Sequence, residues 1–197
     1  MNIVRLFLNT SSRWYYPLHW LGILALGLVV YYRAFGCGFV FDDNAFIITN
    51  PYIKHFSRIN EVWAFFPMTR LVGMYSFTLN YFTNQLHPFG YHLFNFIVHL
   101  IATALVWGTA ALLFKITRKE APADALQQEL PFIMALLFLV HPGQTQAVTY
   151  ISQRFESMAA VFYLATVYTY LSARVSPAGI PRIRLFVLAG MHKIHKY

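Results

Sequence analysis

The chain has 197 residues, of which 58% are hydrophobic and only 11% are charged. Soluble domains carry roughly 25% charged residues, so this composition excludes an ordinary soluble domain and indicates a membrane protein. The net charge is +8, but the basic residues flank apolar segments, so nucleic-acid binding is not expected. The only cysteine, Cys37, excludes a disulfide within this sequence and a thiolate metal cluster.

Apolar segments along the chain predict an all-α membrane protein with about four transmembrane helices and a partial fifth, forming a single membrane domain, 1–197. A helix crosses the bilayer core of roughly 30 Å with about 20 apolar residues. The predicted spans are 17–35, 91–114, 130–141 and 155–171, and the partial span is 183–190. The third is short, and it crosses only if it continues past Pro142 or is re-entrant. The first is predicted to be an uncleaved anchor.

Basic residues predict the orientation of these spans. Ten of the 15 lysines and arginines precede the first span, follow the second or follow the fourth, and these three segments fall on one side: Arg5, Arg13, Lys115, Arg118, Lys119, Arg174, Arg182, Arg184, Lys193 and Lys196. By the positive-inside rule, this side and the N-terminus are cytoplasmic. The loops 42–88 and 141–154 are then external, and the basic side attracts anionic membrane lipid.

The first external loop, 42–88, is predicted to contain amphipathic helices. Large apolar residues recur at helical spacing over 57–66, which predicts a helix lying along the membrane interface and ended by Pro67. A second short helix is predicted over Leu71 to Phe82, before the turn that leads into the second span.

Two adjacent carboxylates, Asp42 and Asp43, directly follow the first span. Ionisable residues near membrane depth are costly, and they tend to mark sites or pathways. The pair indicates a reactive site, although it can also simply end the helix in water. Further ionisable residues fall on the same predicted external side: Arg70, His87, His92, His141 and Arg154.

These residue types together suit a lipid-linked phosphate donor. Arginine holds phosphate oxygens bidentately, and a carboxylate takes a proton from an acceptor hydroxyl. For Arg154, snorkelling to the membrane interface is the alternative. No dedicated metal site is predicted, because no metal-ligand spacing occurs on one helix. A divalent cation held by Asp42, Asp43, His92 and His141 depends on tertiary proximity alone.

The second span carries three polar side chains on one helical face, His92, Asn95 and His99. Polar residues in spanning helices face protein or a cavity. For Asn95 and His99, the simpler interpretation is a hydrogen bond to a neighbouring helix. His92 lies closest to the outer surface and therefore stays a candidate for the site.

The order and spacing of several motifs resemble the N-terminal part of the transmembrane and tetratricopeptide-repeat O-mannosyltransferase-like family. The resemblance covers residues 17–174, and it rests on Phe41-Asp42-Asp43, Thr49-Asn50-Pro51-Tyr52-Ile53, Thr69-Arg70-Leu71, Leu79-Asn80-Tyr81, Gly90-Tyr91-His92-Leu93-Phe94-Asn95, His99 and His141-Pro142 through Arg154. The forms Gln144-Thr145-Gln146 and Gln153-Arg154 look more like bacterial members. The resemblance therefore implies a multi-pass protein of the bacterial inner membrane, with the loop 42–88 in the periplasm.

The resemblance also implies a GT-C glycosyltransferase fold, here truncated, with a polyprenyl-phosphate sugar as donor and a protein or glycan as acceptor. By the same resemblance, Asp42 is the catalytic base or the acceptor-orienting group, and Asp43 is its helper. Arg70, His92, His141 and Arg154 are expected to bind the donor phosphate.

Family members have more spanning helices and usually soluble repeats, so we expect a missing C-terminal half or repeat domain. The alternative function is a non-catalytic membrane subunit or fragment that binds a lipid-linked sugar or scaffolds an assembly. A transporter is disfavoured, because the sequence lacks paired, Gly/Pro-broken helices in corresponding halves.

Overall fold

The computed structural model describes residues 13–55, 61, 70–117 and 125–175. Within these ranges the chain is helical and contains no β-strand, which confirms the all-α prediction. The α-helices of this part, numbered in chain order, are α1 (Tyr15–Tyr31), α2 (Leu71–Asn84), α3 (Pro88–Thr117), α4 (Ala125–Val140), α5 (Thr145–Thr149) and α6 (Arg154–Val175).

Short helical turns connect these helices. The connecting turns are the 3-10 segments Tyr32–Gly36, Tyr52–Lys54, Pro142–Gln144 and Ile151–Gln153, and one π-helical turn, Asn44–Ile48. The 3-10 segment Tyr32–Gly36 directly continues α1, so the first candidate span runs from Tyr15 to Gly36.

Two helical segments of the described chain are long and apolar enough to cross a membrane, namely Tyr15–Gly36 and Pro88–Thr117. A third span is obtained if Gln127–Val140 and Pro142–Thr149 count as one, although the chain bends by 56° between them. The bend lies at His141, whose extended backbone is what a residue before proline prefers. The predicted short third span therefore corresponds to a broken helix.

The structure does not confirm the predicted four to five spans. Helix α6 covers the predicted fourth span, 155–171, but it is not among the candidate spans. The physical reason is its composition, since serine, threonine, tyrosine and charged residues interrupt its apolar positions. The predicted partial span, 183–190, lies outside the described residues.

Helix α2 confirms the second helix predicted in the first loop, and it extends two residues beyond the predicted Leu71 to Phe82. It ends where Gln85 adopts a left-handed backbone with φ of 50°. The amphipathic helix predicted over 57–66 falls, apart from Glu61, outside the described residues.

The chain divides into two compact units. Unit 1 takes Met1–Ile23, Ile101–Leu139 and Ala160–Tyr197, and unit 2 takes Leu24–Leu100 and Val140–Ala159. In unit 2, a buried core that includes Ile47, Ile53, Met74 and Phe77 joins the loop after α1 to α2. The prediction of a single membrane domain stays a prediction.

Candidate functional site

The turn that carries the two carboxylates in unit 2 is strained. Phe41 adopts a left-handed backbone with φ of 46°, and its side chain is 84% exposed. A residue with a Cβ pays about 1–2 kcal/mol in this region, so packing elsewhere must hold the turn. Such strain often accompanies functional sites. The turn separates its two acids, because Asp42 is exposed whereas Asp43 is fully buried.

Asp43 holds this turn against the segment before α6. One carboxylate oxygen, Oδ2, accepts from the backbone N–H of Val40 at 2.9 Å. The other, Oδ1, accepts from the backbone N–H of Ser152 at 2.8 Å and from the Ser152 hydroxyl. Three donors therefore satisfy the buried carboxylate, as buried polar groups require. In this geometry Asp43 positions the turn. That role suits the predicted helper of Asp42, but it does not suit a residue that contacts a ligand directly.

The exposed Asp42 lies beside Tyr150. Its backbone N–H donates to the Tyr150 hydroxyl at 3.4 Å, and the Tyr150 ring packs edge-on against Phe41 with 6.3 Å between ring centroids. Burial raises the pKa of the Tyr150 phenol, and the nearby carboxylates of Asp42 and Asp43 raise it too. The phenol therefore keeps its proton at neutral pH and offers a donor next to the exposed acid.

Arg154, at the first position of α6, is fully buried in unit 2. Its guanidinium donates from Nε to Asn95 Oδ1 at 2.7 Å, from Nη1 to Asn80 Oδ1 at 2.7 Å and Ser76 Oγ at 3.2 Å, and from Nη2 to the carbonyl of Tyr91 at 2.9 Å. We call these four acceptors and Arg154 the arginine cage. All three guanidinium nitrogens are thus engaged by protein.

Two aromatic rings complete the surroundings of Arg154. The guanidinium carbon lies 4.5 Å from the ring centroid of Phe77 and 4.3 Å from that of Phe94. The planar, weakly hydrated guanidinium suits such stacking better than an ammonium group does. Burial lowers the pKa of Arg154 to about 9, which still leaves the group charged at neutral pH.

Asn95 connects the arginine cage to the carboxylate turn. While its Oδ1 accepts from Arg154, its Nδ2 donates to the carbonyls of Tyr150 at 3.3 Å and Ile151 at 3.2 Å. The segment that carries Tyr150 and Ser152 is thereby fixed from α3. Tyr31 and His99 also meet between α1 and α3, with 3.5 Å from the hydroxyl to Nε2. These contacts confirm the interpretation of Asn95 and His99 as partners of neighbouring segments.

His92 is fully buried, and both of its ring nitrogens face backbone carbonyls. Nδ1 is 3.0 Å from the carbonyl oxygen of Val148, and Nε2 is 3.2 Å from that of Cys37. The ring therefore connects α3 to two other parts of the chain, the segment that follows α1 and helix α5. In this geometry neither nitrogen points outward to a ligand, so the donor-phosphate role of His92 stays a prediction that its contacts do not favour.

Arg70 differs from Arg154 because it is exposed. Its guanidinium carbon lies 5.4 Å from the Phe46 ring centroid and 5.2 Å from that of Phe155. Phe46 belongs to the π-helical turn that directly follows Asp42 and Asp43, so this stacking connects Arg70 to the carboxylate turn. Among the predicted phosphate-binding arginines, Arg70 is therefore the one whose charge reaches the surface.

The two remaining histidine candidates, His87 and His141, are exposed. His141 accepts from the backbone N–H of Gly143 at 3.1 Å through Nδ1 and so caps the turn after the bend. Over the described part of the chain, no three histidine, cysteine or acidic side chains lie close enough to hold a metal ion. Asp42, Asp43, His92 and His141 are thus not gathered into a metal site there.

Comparison with known proteins identifies relatives over most of the chain. It is 32% identical over 189 residues to Protein O-mannosyl-transferase Tmtc3 of Drosophila melanogaster, a match that covers 84% of this chain and 20% of the relative. It is 33% identical over 175 residues to Tmtc2 of the same species, with 80% and 17% covered. It is 30% identical over 166 residues to TMTC3 of Homo sapiens, with 77% and 17% covered.

The chain belongs to a TMTC-like family. It spans about a fifth of the length of the TMTC relatives that it matches. No family model matches the chain, and no solved structure does. The match to TMTC proteins confirms the resemblance that was drawn from the motifs around Asp42, Asp43, Arg70, His92 and Arg154.

Sequence reasoning missed the partners that hold this TMTC-like site together. Asn80, Tyr150 and Ser152 lie in motifs that the family resemblance uses, but no pattern predicted their contacts, and Ser76 lies in no such motif. Only the fold brings them to the acids and to Arg154. The polar stretch 141–154 was the one available signal, because a polar run between apolar helices must be solvated or buried in protein.

Proposed function

We propose that the chain is the N-terminal membrane portion of a polyprenyl-phosphate-sugar-dependent glycosyltransferase that acts on the external face of the membrane. One observation carries the proposal. Asp42 is an exposed carboxylate on a strained turn that the buried Asp43 holds in place, in a chain whose relatives are named protein O-mannosyl-transferases. An acid that is exposed yet held in position suits proton transfer better than one that merely ends a helix.

In the proposed reaction, an acceptor hydroxyl attacks the anomeric carbon of the lipid-linked sugar. The bond from that carbon to the phosphate oxygen breaks, and the polyprenyl phosphate leaves with the electron pair. Asp42 takes the proton of the acceptor hydroxyl. The Tyr150 hydroxyl, beside Asp42, orients the turn and offers a hydrogen bond to the incoming groups. The acceptor is a hydroxyl of a protein or a glycan.

Arg70 is the proposed phosphate ligand of this portion. It is exposed, and its stacking on Phe46 and Phe155 limits the freedom of the side chain before a ligand arrives. A guanidinium matches phosphate oxygens in a bidentate manner. His141 is exposed as well and is a second proposed ligand. For Arg154 and His92 we propose a supporting role instead, because protein acceptors engage their nitrogens.

The GT-C fold and the cellular location also belong to the proposal. The distribution of basic residues supports an N-terminus on the cytoplasmic side. With the motif forms that resemble bacterial members, it supports a bacterial inner membrane with Asp42 on the periplasmic face. The relatives named above are from animals, and their name, protein O-mannosyl-transferase, makes mannose the first donor sugar to test.

The test is sugar transfer in membranes that contain the chain. A radiolabelled polyprenyl-phosphate mannose is supplied, and transfer to protein or glycan is measured for the parent, for Asp42→Asn and for Glu156→Gln. Glu156 is an exposed acid of the same unit, and so its variant controls for the loss of one charge. Removing a general base costs about 10²- to 10⁴-fold, so we expect Asp42→Asn to lose at least about 100-fold and Glu156→Gln to match the parent.

Donor binding, measured separately, distinguishes the two candidate functions. Asp42→Asn that still binds the donor but no longer transfers the sugar supports the enzyme. A parent chain that is inserted and folded, binds the donor and transfers nothing contradicts it. That result would make the chain a non-catalytic membrane subunit that binds a lipid-linked sugar.

A further inference from the structure

Unit 1 contains an open groove that the site described above does not use. Two adjoining cavities, of about 260 and 370 Å³, share Tyr16, Trp107, Ala111 and Lys115 in their walls. We call their union the Lys115 groove. It follows α3 along one side, and residues of α1, α4 and α6 form its other walls.

The groove changes character along its length. One end is polar and is lined by Lys115, Gln127 and Gln128, whereas the other is lined by Trp20 and Ala104. Ala104 and Lys115 are eleven residues apart in α3, which is about 16 Å at ~1.5 Å per residue. That distance is close to the hydrocarbon thickness of one leaflet, about 15 Å. A polar end followed by an apolar channel of this length matches a phosphate headgroup followed by an acyl chain.

Aromatic rings build the wall between the two ends. The Trp107 ring centroid lies 6.0 Å from that of Tyr16 and 5.5 Å from that of Trp20. Rings of this kind prefer the level of lipid headgroups, since one edge is polar and the body is apolar. Tyr168, which also lines the groove, packs tightly over Gly108, where an added Cβ would lie 2.7 Å from its ring. A larger residue at 108 would therefore push the Tyr168 ring away from α3.

The charge of the groove is positive at its polar end. Among the residues that the structure describes, Lys115 is the charged one that lines the groove, and in the sequence Arg118 and Lys119 follow directly. The nearby acid, Glu129, is not an opposing surface charge. It is buried, and its Oε2 is 2.7 Å from His19 Nε2. His19 in turn stacks against Trp107, with 5.7 Å between ring centroids, so this pair lies behind the groove wall.

We propose that the Lys115 groove binds one anionic glycerophospholipid from the leaflet on the basic side of the membrane. Lys115 pairs with the phosphate, the amides of Gln127 and Gln128 hydrogen-bond the glycerol region, and one acyl chain lies along α3 towards Ala104. Anionic lipid gathers where lysine and arginine cluster, and basic pockets between membrane helices bind such headgroups. The inference is independent of the proposed glycosyl transfer, because the groove lies wholly in unit 1 and the site lies in unit 2.

The test uses the tryptophans of the groove as reporters. Replacing Trp14 and Trp63 by phenylalanine leaves Trp20 and Trp107, which both line the groove. Quenching of their fluorescence is measured in detergent micelles at a low molar ratio of lipid. The two probes are phosphatidylglycerol and phosphatidylcholine carrying the same brominated acyl chains.

We expect phosphatidylglycerol to quench at about fivefold lower concentration than phosphatidylcholine, because one lysine at a membrane surface contributes about that factor. Lys115→Gln should abolish the preference. Arg174→Gln, an exposed cation at the end of α6 that does not line the groove, should retain it. Ala111→Phe, which fills the shared part of the groove, should weaken quenching by both lipids.

Four results would overturn the proposal. Equal quenching by the two lipids, or a preference that survives Lys115→Gln, removes the headgroup site. Displacement of the brominated lipid by a polyprenyl phosphate at a lower concentration than by phosphatidylglycerol assigns the groove to another lipid. Absence of quenching by either lipid in a folded chain means that another part of a protein covers the groove.

Discussion

The arginine cage gives the sharpest test of how the chain is held together. Arg154→Met keeps a long side chain but removes the donors to Asn95, Asn80, Ser76 and the Tyr91 carbonyl. Each buried acceptor left without a partner costs about 1–3 kcal/mol, although local rotation and water recover part of this. We therefore expect the free energy of unfolding to fall by about 3–5 kcal/mol, the range for breaking a buried charged network.

The assay is thermal unfolding of the purified chain in detergent, followed by the loss of its monodisperse peak in size-exclusion chromatography. About 2–4 °C per kcal/mol applies to chains of this length, so the midpoint should fall by roughly 6–20 °C. Arg174→Met changes an exposed arginine of the same helix and should cost less than ~0.5 kcal/mol.

Arg154→Lys separates a structural from a ligand-binding role. Lysine keeps the charge but lacks the planar fork and the stacking on Phe77 and Phe94, so we expect about half the loss of Arg154→Met. A lysine variant that melts like the parent but binds the polyprenyl-phosphate donor far more weakly would refute this reasoning. Arg154 would then face the donor, as the sequence resemblance implies.

The remaining predictions concern stability and are measured by the same melting assay. His19→Leu leaves Glu129 buried without its 2.7 Å partner and should lower the free energy of unfolding by about 3 kcal/mol. Replacing both residues by leucine should recover most of this loss. A double variant that is no more stable than the single one contradicts this prediction. Gly73→Ala should destabilise the chain by about 1–2 kcal/mol, because its Cβ would lie 2.3 Å from the Phe155 ring. In Gly22→Ala the added Cβ would lie 3.7 Å from its nearest neighbour, so this variant should be neutral or stabilising. If both glycine variants melt at the same temperature, the close approach of Phe155 is not the cause of the destabilisation.

Local sequence patterns were sufficient to predict the helices whose character depends only on their own residues. The apolar runs predicted the helices that begin at Tyr15 and Pro88, and a short helix was predicted over Leu71 to Phe82, where α2 lies. The number of spans was less certain, since α6 is a helix whose polar side chains lower its hydropathy. Length and periodicity predict a helix, but they do not establish that the helix faces lipid.

The surroundings of the two acids could not be predicted from the sequence. The sequence indicated that acids follow the first span, and the family resemblance implied different roles for Asp42 and Asp43. It could not predict which acid is exposed and which is buried, because neighbours on a turn are separated only by the direction in which the turn is held. That direction depends on Ser152, which lies 109 residues away in the sequence. The burial of Arg154 likewise depends on acceptors 59 to 78 residues away.

The sequence by itself determined the class of the protein, the place of its longest apolar helices and the family motifs around the two acids. These features reside in composition and local spacing, which act whether or not distant segments meet. Only the tertiary structure decided which charged groups are exposed and which are enclosed. The pairing of His19 with Glu129, 110 residues apart, shows the reason: a buried polar group is stable only when a partner arrives from elsewhere in the fold, and no local pattern records that partner.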